Sequence, residues 1–225
     1  MELLQITTTQ LDTLSSGGQE PVRVIELLLK GGFMMIPIFL LSIVAVYVFV
    51  ERILNIKKAS KIGDHFFDDI KKQVLNGDIN SAKVLCAQND SPIARMIEKG
   101  LSRLGTELKN IEASIENVGR IEIYKLEKNL SLLATISGAA PMIGFLGTVT
   151  GMIRAFISIA QEEGTVSPKL LSSGIYEAMI TTAAGLFVGI IAYLGYNYLV
   201  TRVQKLVYKM EYTSINFLDL LQEPR

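Results

Sequence analysis

The chain carries little with which to build an active site. Its 225 residues include one cysteine (Cys86), one histidine (His65) and no tryptophan. One of each leaves no disulfide, no Cys/His zinc site and no Cys–His nucleophile pair. Neither a phosphate loop nor a dinucleotide-binding glycine motif occurs. Gly144-Phe145-Leu146-Gly147 lies within an apolar run, which is the wrong context for either. Net charge is also missing, with 22 basic against 22 acidic residues, so nothing argues for nucleic acid as a partner. No catalytic residue, cofactor or metal site is expected. His65, beside Phe66 and Phe67, reads as a partly packed surface histidine. Cys86 reads as a small buried hydrophobe suited to a reducing compartment.

What the chain has instead is apolar length. Three windows are free of charge, residues 31–50, 129–153 and 178–200. At 1.5 Å per residue they reach about 30, 37 and 34 Å, enough to cross a bilayer core of about 30 Å. The expectation is an all-α integral membrane protein with three transmembrane helices in contact with membrane lipids, and a soluble enzyme is excluded. Pro37 falls in the first turns of the first span, where neighbouring helices or a small kink absorb it. Residues 1–20 are polar and Thr/Ser-rich, with no basic leader region, so the first span reads as an uncleaved anchor. Val22, Ile25, Leu28 and Leu29 oppose Arg23, Glu26 and Lys30. That segment is either a short amphipathic helix on the membrane surface or an extension of the first span.

Basic residues set the expected orientation. Arg52, Lys57, Lys58 and Lys61 follow the first span, Arg120, Lys125 and Lys128 precede the second, and Arg202, Lys205 and Lys209 follow the third. Residues 1–30 and 154–177 carry only two basic residues each. This places residues 1–30 in the periplasm, 51–128 in the cytoplasm, 154–177 in the periplasm and 201–225 in the cytoplasm.

The 51–128 segment reads as helical. Short helices are expected over 64–75 and 78–87, parted by the turn Asn76-Gly77-Asp78, and a third starts at Ser91-Pro92. From there Leu101, Leu104, Leu108, Ile111, Ile115 and Val118 recur at steps of three and four, a heptad-like seam. The spacing predicts one helix from Leu101 that runs on into the second span. Its seam packs either within one subunit or between subunits. The charged residues of this segment are mixed in sign, the pattern of a solvated face. The third span is expected to continue through Arg202 to Leu221, with Leu206, Met210, Ile215, Phe217 and Leu218 giving a partly apolar surface.

Two spans carry small residues where lipid-facing helices carry leucine. In APMIGFLGTVTGMI (residues 140–153), Ala140, Gly144, Gly147, Gly151 and, just beyond, Ala155 share one helical face, with Thr148 at its edge. In IYEAMITTAAGLFVGIIAYLGYN (residues 175–197), Glu177, Thr181, Gly185, Ala192 and Gly195 cluster, and Ala178, Gly189 and Tyr196 widen the arc. Thr182 flanks it, while Met179, Ile180, Phe187, Ile190, Ile191 and Leu194 form a lipid-facing side. A carboxylate at the mouth of an apolar helix, followed by two threonines, suggests a polar path as well as a packing seam.

Those two stretches resemble the second- and third-span signatures of the MotA/TolQ/ExbB proton-channel family. The likeness runs from Ala140 to Met152 and from Glu177 to Leu186, closing on Tyr196-Asn197. Three spans, where the flagellar branch has four, place the chain nearer the ExbB/TolQ branch. The resemblance implies a homopentamer in the bacterial inner membrane whose second and third spans line a pore. It implies a dimer of an ExbD/TolR-like single-span protein within that pore, whose aspartate takes up and releases protons. Motion would pass through that partner, and a TonB/TolA-like protein, to the outer envelope. The work implied is TonB-dependent uptake across the outer membrane or, alternatively, Tol-type envelope maintenance.

The residues agree with such a division of labour. No ionisable group lies within the three charge-free windows, so a partner helix or water must carry the proton at mid-membrane. Thr148, Thr181, Thr182 and Glu177 are the expected pore-lining set. The family motif favours Thr148 and Thr182, the helical wheel favours Thr181, and back-bonding of each hydroxyl to its own helix is the structural alternative. Glu177 either faces the pore mouth or pairs with Arg154. Pro141, Gly144, Gly147, Gly151, Gly185 and Gly189 are the expected helix-packing and partner-contact positions. A non-conducting scaffold is the remaining rival. A solute transporter would call for internal repeats or broken helices that are not evident here.

Overall fold

A computed structural model describes residues 31–63, 65–161 and 168–222, with side chains in the last stretch from 172 onward. The proposed surface helix before residue 31 lies outside the described residues. Seven helices make up the described chain: α1 (Met35–Ala59), α2 (Phe66–Leu75), α3 (Ile79–Ala87), α4 (Pro92–Leu101), α5 (Leu108–Glu127), α6 (Leu130–Gln161) and α7 (Pro168–Gln222). No strand occurs among the described residues. Helices α1, α6 and α7 are long and apolar enough to cross a membrane.

Local sequence accounts for the breaks. Gly77 adopts φ +80° between α2 and α3, and the Asp78 carboxylate caps α3 by accepting from the Ser81 N–H at 3.0 Å. Ser91 caps α4 by accepting from the Ala94 N–H at 3.2 Å, with Pro92 at the first helical position. Two breaks correct the expected continuous helix from Leu101 into the second span. Gly105 turns at φ +95° between α4 and α5, and Asn129 takes φ +64° between α5 and α6. Asparagine tolerates the left-handed region better than most residues, so a sequence with no glycine or proline at that point still bends.

The described chain divides into two compact units, one formed by residues 31–38 and 142–186, the other by residues 39–141 and 187–222. The larger unit holds a continuous apolar core. Ile56 of α1, Ile70 of α2, Cys86 of α3, Ile97 of α4, Ile115 of α5 and Phe217 of α7 belong to it. The heptad-like seam packs inside the chain, with Leu101, Ile111 and Ile115 buried and Leu104 and Val118 packed against them. Gly100 permits a close approach there, since a Cβ on it would lie 2.7 Å from Phe217 and 2.8 Å from Ile115. Cys86 is buried as expected, and burial, aided by the charge of Glu98, pushes its thiol up to about 12. His65 is fully solvent-facing, its side chain 89% exposed, rather than partly packed.

In the smaller unit, the small-residue faces of α6 and α7 meet. This geometry positions the candidate site.

Candidate functional site

Gly144, Gly147 and Gly151 of α6 are all buried, as are Ala178, Thr181 and Gly185 of α7. A Cβ on Gly144 would lie 2.9 Å from the Thr181 carbonyl oxygen and 3.2 Å from the Cα atoms of Gly185 and Thr182. Those neighbours are backbone, so the two helices touch main chain to main chain at this level. One turn along, a Cβ on Gly147 would lie 2.5 Å from Thr181 Oγ1, and one on Gly151 would lie 2.9 Å from Ala178 Cβ. In the larger unit, Gly189 does the same for Pro141, where a Cβ would lie 2.5 Å from the proline ring. Every glycine of the expected packing set therefore sits at a helix–helix contact, and Pro141 fills the space that Gly189 leaves.

The three threonine hydroxyls are placed differently. Thr181 is only 2% exposed, and its hydroxyl donates to the Ala178 carbonyl at 2.7 Å within α7. Thr148 is partly buried and donates to the Phe145 carbonyl at 2.6 Å within α6. Thr182, also partly buried, donates across to the Gly144 carbonyl of α6 at 2.8 Å. Thus two hydroxyls are satisfied by their own helix, and one links the two helices.

Glu177 lies one turn before Thr181. Its carboxylate faces the Arg154 guanidinium of α6 at 3.9 Å, both side chains retaining solvent exposure. The ion pair is therefore present, as a loose, solvent-screened contact. The same carboxylate rests on Gly32, which adopts φ +67°; a Cβ there would fall 1.8 Å from Glu177 Oε1. Sequence reasoning passed over Gly32. The Gly31-Gly32 pair at the entrance to the first apolar window is the signal that could have found it.

A second polar cluster was also missed. Glu122 and Arg52, read from sequence as part of a solvated face and as a boundary charge, are only 3% and 4% exposed. Arg95 Nη2 reaches Glu122 Oε2 at 2.6 Å, and Lys125 Nζ reaches Glu122 Oε1 at 2.7 Å. Burial alone would raise the Glu122 carboxyl, but the hydrogen bonds and charges of Arg95 and Lys125 outweigh it and hold it below its ordinary range.

Long apolar helices with close-packed glycine faces, one threonine hydroxyl bonded across them and a carboxylate near one end define a multi-pass helical membrane protein. The chain belongs to the MotA/TolQ/ExbB proton channel family, whose model matches residues 88–212, more than half of its length. A protein of Synechocystis sp. named ExbB-like 1, for biopolymer transport, is 30% identical over 181 residues, covering 80% of this chain and 71% of that one. The biopolymer transport protein ExbB of Neisseria meningitidis serogroup A is 28% identical over 178 residues, 71% of this chain and 77% of its own. The Tol-Pal system protein TolQ of Haemophilus influenzae is 38% identical over 99 residues, 44% of this chain and 41% of its own. The chain is thus a multi-pass inner-membrane member of the ExbB/TolQ branch.

Proposed function

We propose that this chain is the channel-forming subunit of an ExbB–ExbD type complex that uses the proton motive force to energise TonB-dependent transport across the outer membrane. The observation that carries the reading is the contact between α6 and α7. Helices packed through Gly144, Gly147 and Gly151, main chain to main chain at Gly144, form a thin wall with Thr148 and Thr182 partly exposed, Thr181 buried behind them and Glu177 one turn before it. In this reading the subunit is a homopentamer with residues 1–30 outside and the C-terminus inside. Helices α6 and α7 surround the single-span helices of an ExbD/TolR-like dimer.

The roles divide by chemistry. The charge-free windows hold no group able to carry a proton, so the partner's membrane carboxylate does so. Thr148 and Thr182 exchange their intrachain hydrogen bonds for bonds to that partner or to water, Thr181 supports them from behind, and Glu177 gathers protons at the mouth. One charge crossing 100 mV releases about 2.3 kcal/mol, so a few protons suffice to drive a step between neighbouring subunits. Coupling to the outer envelope then passes through a TonB/TolA-like protein.

Co-expression with an ExbD/TolR-like protein, native mass spectrometry and proton flux in proteoliposomes test this. A pentamer carrying two partner chains, whose flux falls in Thr148→Val/Thr182→Val and in Glu177→Gln without loss of assembly, is the expected result. Full flux in both variants would remove the assigned pathway, and a complex that assembles without flux would make the chain a scaffold. The likeness to TolQ supports a second reading, envelope maintenance. Complementation of cells lacking ExbB against cells lacking TolQ separates the two.

A further inference from the structure

At the end of α1, side chains from three helices and the loop before α4 converge on a cavity of about 220 Å³ lined by Arg52, Lys58, Asp90, Arg95, Glu122 and Lys125. The charges form an ordered chain. Lys58 Nζ meets Asp90 at 2.7 Å, Arg95 bridges Asp90 at 2.5 Å and Glu122 at 2.6 Å, and Lys125 closes on Glu122 at 2.7 Å. Above it, Arg52 donates to the Lys125 carbonyl at 3.1 Å and pairs with Glu51 at 2.5 Å. With Glu51 counted, the cluster holds four cations against three carboxylates.

Hydrogen-bond capacity is in excess in the same direction. Lysine carries three donors and arginine five, whereas the bonds above use only some of them. Buried Arg52 Nε and Arg95 Nε have no partner at all among the described residues. Those two atoms are shut off from the cavity, so the donors an added anion can reach are the spare N–H groups of Lys58 and Arg95, whose side chains are 70% and 37% exposed. The side chain of Arg52 is only 5% exposed, which makes this a built site and distinguishes it from a fringe of surface lysines.

The surface leading to the cavity names the class of anion. Lys58 continues the i, i+4 ridge of Val46, Val50 and Leu54 along α1. Those three are 56%, 47% and 59% exposed, an apolar strip that runs from the charge-free window to the cavity rim. A free phosphate would have no use for that strip. We propose that the cavity seats the phosphodiester of an anionic phospholipid, with Lys58 and Arg95 facing the phosphate and the acyl chains laid along Leu54, Val50 and Val46. Zwitterionic lipid is the weaker ligand, because its ammonium group adds to a wall already rich in cations.

Native mass spectrometry of the full chain in detergent, titrated separately with phosphatidylglycerol, phosphatidylethanolamine and inorganic phosphate, tests the assignment. Lys58→Gln removes a solvent-facing cation and leaves the core intact, and Arg52→Gln removes the buried one. Lys205→Gln, on exposed α7 surface, is the control for general attraction. The expected result is preferential retention of phosphatidylglycerol, weakened about fivefold in Lys58→Gln, the equivalent of the ~1 kcal/mol that one basic residue contributes near an anionic leaflet. Arg52→Gln should weaken it at least as much, and Lys205→Gln should leave it unchanged. If Arg52→Gln fails to fold, Lys58→Gln decides alone. Equal retention of both lipids, or equal loss in Lys58→Gln and Lys205→Gln, overturns the site. Tight uptake of inorganic phosphate that displaces phosphatidylglycerol overturns the lipid assignment.

Discussion

The Thr182 hydroxyl of α7 donates a 2.8 Å hydrogen bond to the main-chain carbonyl of Gly144 on α6. The bond exists because Gly144 has no side chain, which lets the Thr182 Cα come within 3.2 Å of the place a Cβ would occupy. A hydroxyl bonded to a carbonyl that already serves its own helix is held weakly enough to change partners. Thr182→Val should therefore cost only about 0.6 kcal/mol of stability, typical of one interhelical hydrogen bond in a membrane protein. Partner-dependent proton flux should fall several-fold. Unfolding in mixed micelles and flux in proteoliposomes measure the two, and a large stability loss with normal flux would make the hydroxyl purely structural.

Glycine substitutions separate contact from helix propensity. Gly144→Ala places a methyl against main-chain atoms of Thr181, Thr182 and Gly185, which cannot move aside as a side-chain end can. It should destabilise the chain by about 1–3 kcal/mol, as overpacking does. Gly138 in the same helix has open space where a Cβ would go. Gly138→Ala should be neutral or stabilise by up to ~1 kcal/mol through propensity alone. Thermal unfolding of the two variants side by side checks this, and equal effects would refute the close approach at Gly144.

The helical character, the three long apolar helices and the small-residue faces were legible in the sequence because each is a periodic pattern. Ala140, Gly144, Gly147, Gly151 and Ala155 lie at steps of three and four, and all five are buried. The break after α5 was not legible: Lys128 turns extended and Asn129 left-handed, with no glycine or proline to mark the place. Nor was Glu122. Its burial depends on Arg95, 27 residues away, and no local pattern records a pairing at that separation. The three threonines were expected as a group, but which one bonds across the helices depends on rotation of α7 by a fraction of a turn. A helical wheel does not resolve that.

Acid should weaken the larger unit through its buried carboxylate. Glu122 in the folded chain is held below its ordinary value of 4.5, so the stability it contributes is fully present above that pH. It is lost as pH falls through the lower folded value, where the carboxylate is protonated and its bonds to Arg95 and Lys125 weaken. Asp90, lowered chiefly by its hydrogen bond from Lys58, adds in the same sense. Wild type should thus be more stable than Glu122→Gln at neutral pH, with the gap narrowing only below about pH 4.5. Chemical unfolding of both proteins between neutral pH and pH 3.5 measures it. A gap independent of pH over that range would mean that the ion pairs contribute nothing beyond shape.

Gly32 should matter to transport through Glu177. Its φ of +67° is a conformation that residues with a Cβ rarely adopt, at a cost of roughly 1–2 kcal/mol. The space a Cβ would need is taken by Glu177 Oε1, 1.8 Å away. The carboxylate is the mobile end of a flexible side chain, so Gly32→Ala should displace it from its seat beside Arg154 and leave the helices in place. Flux should then fall to the level of Glu177→Gln, with helix content and assembly retained, and combining the two substitutions should add nothing further. Gly32→Asn sharpens the comparison, since asparagine tolerates the left-handed backbone but still carries a Cβ. If Gly32→Asn conducts normally while Gly32→Ala does not, backbone conformation alone is what counts, and the seat for the Glu177 carboxylate is not.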